Sequence, residues 1–404
     1  MAGLQRISIQ KASMQLDLPE PDPEARAHSE RLAALIRNEV VCAGGALDFA
    51  RYMELALYAP GLGYYSAGMT KFGAAGDFVT APELGFVFAR CLARAVAPTL
   101  RETHGDILEL GPGSGALAVE LLLELERLDA LPLHYRLLER SADLRERQRV
   151  ALVQHCPHLQ NSIEWLDAPP ATPWHGVLIA NEVIDALPVR TFALNDDGLI
   201  ERMVGVGEHD QFAWHERPAD AQLSHLVTQA VGNIDDLPRP YRSEICTILK
   251  PWLAEVTQSL EQGTAWFIDY GYSRADYYAP HRRTGTLRCH YKHRAHDDPF
   301  FLPGLQDITA SVDFDALAQV GMTTGFQVAG DVSQAQFLIE HGLDEVFAQA
   351  YAEAPDEAAR YRLAQEVKRL TLPGQMGEVF RVMGIATPDA VVGIGNRQSG
   401  NSEK

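Results

Sequence analysis

The sequence predicts an α/β fold built on a mostly parallel sheet whose strands are joined by helices. Short apolar runs alternate with segments of helical periodicity through the middle of the chain, and one run leads through a glycine-rich turn into a helix. The 404 residues are 46% hydrophobic and 22% charged, which is the composition of a globular protein. Wholesale disorder is therefore excluded, because enough apolar surface is present to offset the entropy of ordering.

Five apolar runs are predicted to be the parallel strands, and they lie at 106–110, 135–139, 163–166, 176–180 and 265–269. The leucine spacing predicts a helix over 116–127, and Ser141 is a suitable N-cap for a second helix over 141–154. Two later runs, at 326–329 and 379–383, are predicted to form a final hairpin or edge pair, with the last strand antiparallel.

Residues 185–264 separate the fourth and fifth strands, and this stretch is too long for a simple crossover. A turn at 195–198 within 191–214 predicts antiparallel strands, and 241–260 is predicted to be helical. We therefore expect a subdomain inserted between these two strands of the sheet.

The predicted organisation is one domain over 29–387, with an N-terminal cap and the inserted subdomain forming a second layer over the sheet. We expect the cap at 29–100 and the insertion at 189–262. The remaining segments, 1–28 and 388–404, are expected to be a flexible leader and tail, since they are polar and rich in residues that disfavour regular structure.

Acidic residues outnumber basic residues by 54 to 35, so the net charge is −19. This balance argues against a nucleic-acid partner, which needs clustered lysine and arginine, and is compatible with a basic partner. The five cysteines show no metal-binding or redox spacing, and no segment has the apolar length of a signal peptide or membrane span. These features favour a cytoplasmic protein with no membrane partner.

The strongest chemical signal is the glycine-rich turn after the first strand, formed by Gly111, Gly113 and Gly115. Glycines let a backbone approach a ligand closely, and the start of the following helix offers free N–H groups. The same glycines also fit the dinucleotide-binding pattern of a nicotinamide enzyme, and a tight turn without a ligand is a further alternative.

Two residues beside this turn disfavour a dinucleotide. Glu109 would repel a pyrophosphate but suits a cationic group such as the amino acid end of S-adenosylmethionine, and Pro112 removes a backbone donor that a phosphate needs. Glu139, at the end of the second strand, is placed to bind ribose hydroxyls in either kind of nucleotide site.

Polar residues also follow the fourth strand. Asn181 and Glu182 interrupt an apolar run, and Asp185 lies one helical turn further on. Because ligands bind at the carboxyl ends of parallel strands, we expect these side chains to point into the site. The alternative is a solvated strand end in which Asp185 caps a turn.

Two other segments are candidates for the site. Thr80 and Glu83 form a capping box for a helix through residue 95, and Gly76 and Asp77 are candidates for a ligand loop beside it. Residues 285–296 contain three histidines but no metalloprotease motif. We expect no metal there and favour a lid over a surface loop, and the later segment 307–314 is expected to supply one acid.

These motifs, taken in order, resemble the MidA family of class I S-adenosylmethionine-dependent methyltransferases, which includes the mitochondrial arginine methyltransferase that assists respiratory complex I assembly. One departure is Ser311, where the family commonly has histidine. The matching motifs are G-x-G-Y-Y at 61–65, F-G-x-x-G-D-F-x-T-A-P-E at 72–83, E-L-G-P-G-S-G at 109–115, N-E-V-I-D-A-L-P at 181–188, D-Y-G-Y at 269–272, T-L-R-C-H-Y-K-H at 286–293 and M-G-E-V-F-R-V at 376–382.

The resemblance implies a Rossmann-like class I methyltransferase sheet, a protein substrate and a homodimer. It implies that S-adenosyl-L-methionine binds around the glycine-rich turn and Glu139, and that Glu182 lies nearest the methyl acceptor. It also implies that Trp165 and Leu166 lie near the adenine, and that Gly76, Asp77 and Thr80 close over the cofactor.

An arginine acceptor requires carboxylates that hold its guanidinium in a bidentate contact. Glu182 is the first candidate for this role and Asp185 the second, while Tyr291 and His293 are candidates for positioning the acceptor. Two alternatives stay open at this point: methylation of a small molecule, and an assembly or scaffolding factor whose cofactor is structural.

Overall fold

The structure, a computed structural model, describes residues 18–67 and 81–390. None of the helices in these two ranges is both long and apolar enough to cross a membrane. The helices are α1 Pro23–Cys42, α2 Phe49–Tyr58, α3 Ala81–Leu84, α4 Val87–Thr103, α5 Ala116–Arg127, α6 Ala142–His155, α7 Ala221–Val231, α8 Leu249–Thr257, α9 Arg274–Tyr277, α10 Phe314–Thr323, α11 Gln334–Glu340, α12 Leu343–Glu353, α13 Glu357–Thr371 and α14 Met376–Val379.

The strands form three sheets, and single 3₁₀ turns lie at Pro157–Ser162 and Ile234–Asp236. The strands are β1 Ala46–Asp48, β2 Asp106–Leu110, β3 Tyr135–Leu138, β4 Ile163–Leu166, β5 Trp174–Asn181, β6 Arg190–Asn195, β7 Gly198–Val206, β8 Phe212–Pro218, β9 Tyr241–Ile245, β10 Leu260–Tyr272, β11 Arg288–Tyr291, β12 Arg294–His296, β13 Asp307–Thr309, β14 Val312–Asp313, β15 Gln327–Ser333 and β16 Phe380–Ala386.

The central sheet has the order β15-β16-β10-β5-β2-β3-β4, and β14 pairs with the end of β10. All pairs from β4 to β10 are parallel, whereas β16 runs antiparallel to both of its neighbours. The predicted mostly parallel sheet with an antiparallel last strand is therefore confirmed. Strands β15 and β16 pair antiparallel with β15 at the edge of the sheet, so the predicted edge pair is confirmed. They do not form a hairpin, because four helices, α11–α14, lie between them along the chain.

Helices cover both faces of this sheet, which explains why its strands are almost continuously apolar. All five residues of β2 are buried. On one face Ile107 packs with α4 and α5, and on the other Leu108 packs with α8 and α10. Alternation along the strands thus divides the apolar side chains between two cores.

A second sheet, in the order β1-β7-β6-β9 with β8 paired to β7, contains four strands of the inserted segment. The predicted turn between β6 and β7 is confirmed, since Asn195 pairs with Gly198. The helix predicted over 241–260 is only partly correct. Tyr241 is fully buried and begins strand β9, which pairs with β6, and the helix α8 is confined to Leu249–Thr257.

The N-terminal region contributes to both layers. Strand β1 pairs with β7 of the inserted segment, so the two regions share one sheet. Helix α4, by contrast, packs directly on the central sheet, although most of it falls inside the expected 29–100 cap. The helix predicted over 81–95 is also divided, because α4 begins at Val87, whose N–H donates to Glu366 Oε1 at 2.7 Å. Thr80 of the predicted capping box lies outside the described residues.

The parallel strands approach closely at Gly176, whose φ of 132° favours glycine. A Cβ atom there would lie 2.0 Å from the carbonyl oxygen of Asp106 in the neighbouring strand. We expect Gly176→Ala to lower the free energy of unfolding by about 1–3 kcal/mol more than Gly198→Ala, measured by urea denaturation. Gly198 is the matched control, because its φ is 116° but nothing lies within 4 Å of the added Cβ atom. Equal losses in both variants would contradict this packing.

Candidate active site

The glycine-rich turn joins β2 to α5 in a conformation that favours glycine at three positions. Gly111, Gly113 and Gly115 have φ values of 59°, 54° and 86°. A Cβ atom on Gly115 would lie 3.2 Å from Cγ of Gln148, and one on Gly111 would lie 3.3 Å from Cγ2 of Val183. The turn is therefore packed tightly between α6 and the segment that follows β5.

Gln148 of α6 connects three of the predicted cofactor-binding residues, although the sequence analysis did not identify it. Its side chain is fully buried, and its Nε2 donates to the carbonyl oxygen of Gly113 at 2.9 Å and to Oε2 of Glu139 at 3.3 Å. Its Oε1 accepts a hydrogen bond from Trp165 Nε1 at 2.9 Å. One amide thus fixes the glycine-rich turn, the acid after β3 and the indole of β4.

Two buried carboxylates stand at the ends of β2 and β3. Tyr135 donates to Oε2 of Glu109 at 2.8 Å, and burial raises the pKa of Glu109 to about 7. The N–H of Ser141 donates to Oε1 of Glu139 at 2.7 Å, and burial raises the pKa of Glu139 as well. Two partly desolvated acids at this edge create the negative potential that attracts a cationic or hydroxyl-rich ligand.

The two residues predicted to lie near the adenine face opposite sides of the sheet. Trp165 packs with the core on the α4 and α5 side, and Leu166 packs with the core on the other side. This follows from the alternation of side chains along β4. Leu166 approaches the predicted site through its backbone, since its carbonyl oxygen accepts from the N–H of Glu139 at 3.3 Å and from Arg145 Nη2 at 2.8 Å.

Helix α3 is attached to the glycine-rich turn by a hydrogen bond from Ser114 Oγ to Glu83 Oε1. The other residues predicted in this region, Gly76, Asp77 and Thr80, lie outside the described residues.

Glu182 directly follows β5 in an unusual backbone conformation. Its φ is 54°, which is uncommon for a residue with a side chain and is typical of strained functional sites. The conformation is fixed because its N–H donates to the carbonyl oxygen of Ile268 at 2.8 Å. The backbone of Ala81 and, at 3.4 Å, the Nδ2 of Asn181 hydrogen-bond to the carboxylate. Burial and the neighbouring Asp185 nevertheless raise the pKa of Glu182 to about 8.

Asp185 and Asp269 are buried beside Glu182. The hydroxyl of Tyr270 donates to Oδ2 of Asp185 at 2.5 Å, while burial raises the pKa of Asp185 to about 6. Asp269 accepts backbone N–H bonds from Ile184 at 3.0 Å, from Asp185 at 3.2 Å and from Tyr270 at 2.9 Å. Asp269 therefore holds the turn after β5 against the end of β10.

Asp307 of β13 adds a fourth acid near this group. Tyr65 donates to both of its carboxylate oxygens at 3.0 Å, and the ring of Tyr58 stacks on Tyr65 with centroids 5.5 Å apart. The charge of Asp307 contributes to the raised pKa of Glu182. We call Glu182, Asp185, Asp269 and Asp307 the acidic cluster.

Three members of the acidic cluster, Glu182, Asp185 and Asp269, lack the cationic partners that usually stabilise buried charges in the part of the chain that the structure describes. Within 18–67 and 81–390, no lysine, arginine or histidine forms an ion pair with Glu182, Asp185 or Asp269. In the same ranges, Oδ1 of Asp185 and Oδ1 of Asn181 are buried without hydrogen-bond partners. A flat cation with several N–H donors, such as a guanidinium, fits this chemistry. In the described part of the chain, no three or more histidine, cysteine, aspartate or glutamate side chains are arranged so that they could hold a metal ion.

Neither Tyr291 nor His293 has a described contact with a residue of the acidic cluster. The ring of Tyr291 is buried against Phe301, with centroids 5.4 Å apart, and His293 stands in the exposed turn between β11 and β12 with a φ of 62°. In the pairing of β11 with β13, His290 rather than Tyr291 lies opposite Asp307. The positioning roles expected for Tyr291 and His293 stay predictions, and nothing in this geometry supports them.

Comparison with known proteins agrees with a methyltransferase assignment. A family model for S-adenosyl-L-methionine-dependent methyltransferases matches residues 91–332, and the chain belongs to this family. A protein from Burkholderia thailandensis, crystallised with S-adenosyl-homocysteine, has 40% sequence identity to this chain and a TM-score of 0.88. The match covers 93% of this chain and 97% of that protein. The protein is therefore a methyltransferase of the class I fold that depends on S-adenosyl-L-methionine.

Curated relatives match nearly the whole chain at lower identity. Protein arginine methyltransferase NDUFAF7, mitochondrial, is 26% identical in Danio rerio, where 85% of this chain covers 84% of the relative. The human protein of the same name is 26% identical, with coverages of 83% and 79%. The cytoplasmic location expected from the sequence is wrong by this comparison, because these relatives are named as mitochondrial proteins. The homodimer expected from the resemblance stays a prediction.

The raised pKa of Glu182 has a consequence for stability. A carboxyl group whose pKa is higher in the folded than in the unfolded chain loses its stabilising contribution as pH rises from about 4.5 to about 8. We therefore expect Glu182→Gln to raise Tm relative to the parent by about 2 °C or more at pH 8, and by much less at pH 5. The matched control is Glu208→Gln in an exposed turn, which should change Tm equally at the two pH values. A Tm gain for Glu182→Gln that does not depend on pH would contradict the assignment.

Proposed function

We propose that this methyltransferase transfers the methyl group of S-adenosyl-L-methionine to arginine side chains of a protein substrate. The observation that carries the proposal is the buried acidic cluster, in which three carboxylates have no ion-pair partner in the described part of the chain. A guanidinium supplies both the positive charge and the planar set of donors that such a cluster needs. The names of the curated relatives, which are protein arginine methyltransferases, support the same substrate class.

The residues around the glycine-rich turn fit the cofactor. When bound, S-adenosyl-L-methionine supplies a methyl group activated by a positively charged sulfur. The three glycines have no side chains of their own, so a ligand can approach the backbone of the turn closely. We assign Glu139 to the ribose hydroxyls and Glu109 to the cationic amino acid end, with Trp165 held beside them by Gln148.

The acidic cluster is suited to orient the acceptor. Glu182 and Asp185 would bind the guanidinium, so that one of its nitrogens is directed at the methyl group. That nitrogen must lose a proton as it gains the methyl group. A carboxyl group with a raised pKa, once ionised by the charge of the bound guanidinium, is an effective acceptor for that proton. Tyr58 and Tyr65 would form an aromatic wall beside the bound cation.

The cofactor assignment predicts a role for Gln148. We expect Gln148→Leu to weaken S-adenosyl-homocysteine binding at least about tenfold, because the turn, Glu139 and Trp165 lose a common partner. Isothermal calorimetry measures this affinity. Gln334→Leu is the matched control, since Gln334 is also fully buried and donates to the carbonyl oxygen of Leu370 elsewhere. Parent affinity in Gln148→Leu would contradict the assignment.

The acceptor assignment predicts that Glu182 is required for turnover and not for cofactor binding. We expect Glu182→Gln to reduce kcat/KM for an arginine-containing protein substrate by about 100-fold or more, with S-adenosyl-homocysteine affinity unchanged. Transfer of labelled methyl groups to a proteome extract, followed by amino acid analysis, measures both rate and product, and Glu208→Gln serves as the control. Label found only on lysine or on small metabolites would contradict an arginine acceptor, and parent activity in Glu182→Gln would contradict the role of Glu182.

A further inference from the structure

Tyr270 is held rigidly at the end of β10. Its ring packs edge-on against Phe380, with centroids 5.6 Å apart, and its N–H is bound by the Asp269 carboxylate at 2.9 Å. Its hydroxyl donates to Oδ2 of Asp185 at 2.5 Å. A hydroxyl-to-carboxylate bond of this length is charge-assisted and favours the ionised acid.

Asp185 is constrained from its backbone as well as from its side chain. Its N–H donates to Asp269 at 3.2 Å, and its carbonyl oxygen accepts from the N–H of Ala310 at 2.9 Å. With the backbone and Oδ2 both fixed, the carboxyl plane has little freedom to rotate. The remaining oxygen, Oδ1, is buried and accepts no side-chain hydrogen bond from the described residues, although the backbone at Asp185 and Ala186 also favours the ionised acid.

Glu182 has a different environment, although it belongs to the same cluster. No hydroxyl group in the described part of the chain donates to its carboxylate, and the amide of Asn181 is 3.4 Å away. When two neighbouring carboxyl groups have different surroundings, their pKa values differ. One can then stay ionised while the other accepts a proton.

We propose that Tyr270 is a positioning residue that keeps Asp185 as the anion facing the acceptor guanidinium, which leaves Glu182 to accept the proton released during methyl transfer. This inference rests on the proposed arginine acceptor. The pKa values agree with it, because burial raises that of Asp185 to about 6 against the opposing effect of Tyr270, and that of Glu182 to about 8.

The transfer step balances with these two acids. A bond forms between a guanidinium nitrogen and the methyl carbon, and the bond between that carbon and sulfur breaks with its electron pair staying on sulfur. The proton of the attacking nitrogen passes to Glu182. Asp185 stays ionised and neutralises the methylated guanidinium throughout.

Every titratable group that acts on Asp185 belongs to this corner of the fold. Asp269 and Tyr270 face it from β10, and Glu182 from the end of β5. The charge of Asp185 also raises the pKa values of Tyr58 and Tyr65, which belong to the N-terminal region. Of these groups, Tyr270 is the one whose side chain donates a hydrogen bond to Asp185, so a Tyr270 variant isolates that contact.

The test is the pH profile of kcat/KM in Tyr270→Phe. Because the hydroxyl favours ionised Asp185, its removal should raise by about one unit the pKa that Asp185 contributes to the ascending limb, while the pKa that Glu182 contributes stays unchanged. Relative to the parent at the same pH, activity should fall about tenfold at pH 5 and about twofold at pH 7, and it should equal the parent value above pH 9. The matched control is Tyr277→Phe, which removes a buried hydroxyl donating to Glu244 at 3.0 Å and should leave the profile unchanged. An equal loss at every pH, or no change in the profile, would overturn the proposal.

Two further measurements distinguish failure of this inference from failure of the proposed function. If Tyr270 acts through Asp185, Tyr270→Phe should add no further loss of kcat/KM in the Asp185→Asn background, and additive losses would overturn the proposal. The Tm deficit of Tyr270→Phe should also grow between pH 5 and pH 8, because the hydroxyl matters most when Asp185 is ionised. This Tm result needs no substrate, so it holds even if no arginine acceptor is methylated; a deficit that does not depend on pH would overturn the role of Tyr270.

Discussion

Four carboxylates share one buried corner where β5 and β10 end, and three of them have no cationic partner in the part of the chain that the structure describes. Burying such charges without compensation is unfavourable, and the raised pKa values of Glu182 and Asp185 reflect that cost. The fold tolerates the arrangement because Asp269 accepts three backbone N–H bonds that tie the two strand ends together. These hydrogen bonds stabilise the corner, while its negative charge is not neutralised by a cation of the described chain. A binding site for a cationic substrate requires this arrangement.

On the cofactor side of the protein, in contrast, the predicted cofactor-binding residues are connected by hydrogen bonds. Gln148 satisfies Gly113, Glu139 and Trp165 together from a fully buried position. The two sides meet at the glycine-rich turn, since Gly111 lies against Val183, the residue after Glu182. Parallel strands bring both sides to one edge of the sheet, which places the methyl donor beside the acceptor.

The sequence was sufficient to predict the central sheet and the location of the site. Strands β2 and β4 and helix α5 have the predicted limits, because each is a buried apolar run or a regular leucine pattern bounded by a clear turn. The segment at 241–260 was harder, since β9 is formed by pairing with β6, a contact that local periodicity does not encode. From the sequence, a hairpin and an edge pair both stayed open for β15 and β16, because local patterns do not show how two pairing strands are connected. The four helices between them were not predicted.

The chemistry of the site was only partly predictable. Glu182 and Asp185 interrupt an apolar run, and that interruption was a visible signal. Gln148 lies in a helix of mainly polar residues, and Tyr270 lies in a motif whose two tyrosines cannot be distinguished from sequence. Their partners Gly113 and Asp185 lie in turns that follow other strands, so their roles appear only once the arrangement of the strands is known.

The central claim is that the acidic cluster binds the guanidinium group of the acceptor. The most direct test is to measure the number of protons exchanged when an arginine peptide binds to the protein saturated with S-adenosyl-homocysteine. Calorimetry at pH 7 in buffers of different ionisation enthalpy provides this number without requiring turnover. Because the positive charge lowers the raised pKa values of Glu182 and Asp185, binding should release protons to the buffer, and a peptide with citrulline in place of arginine should release none. Arginine binding with no net proton release in any buffer would contradict the account.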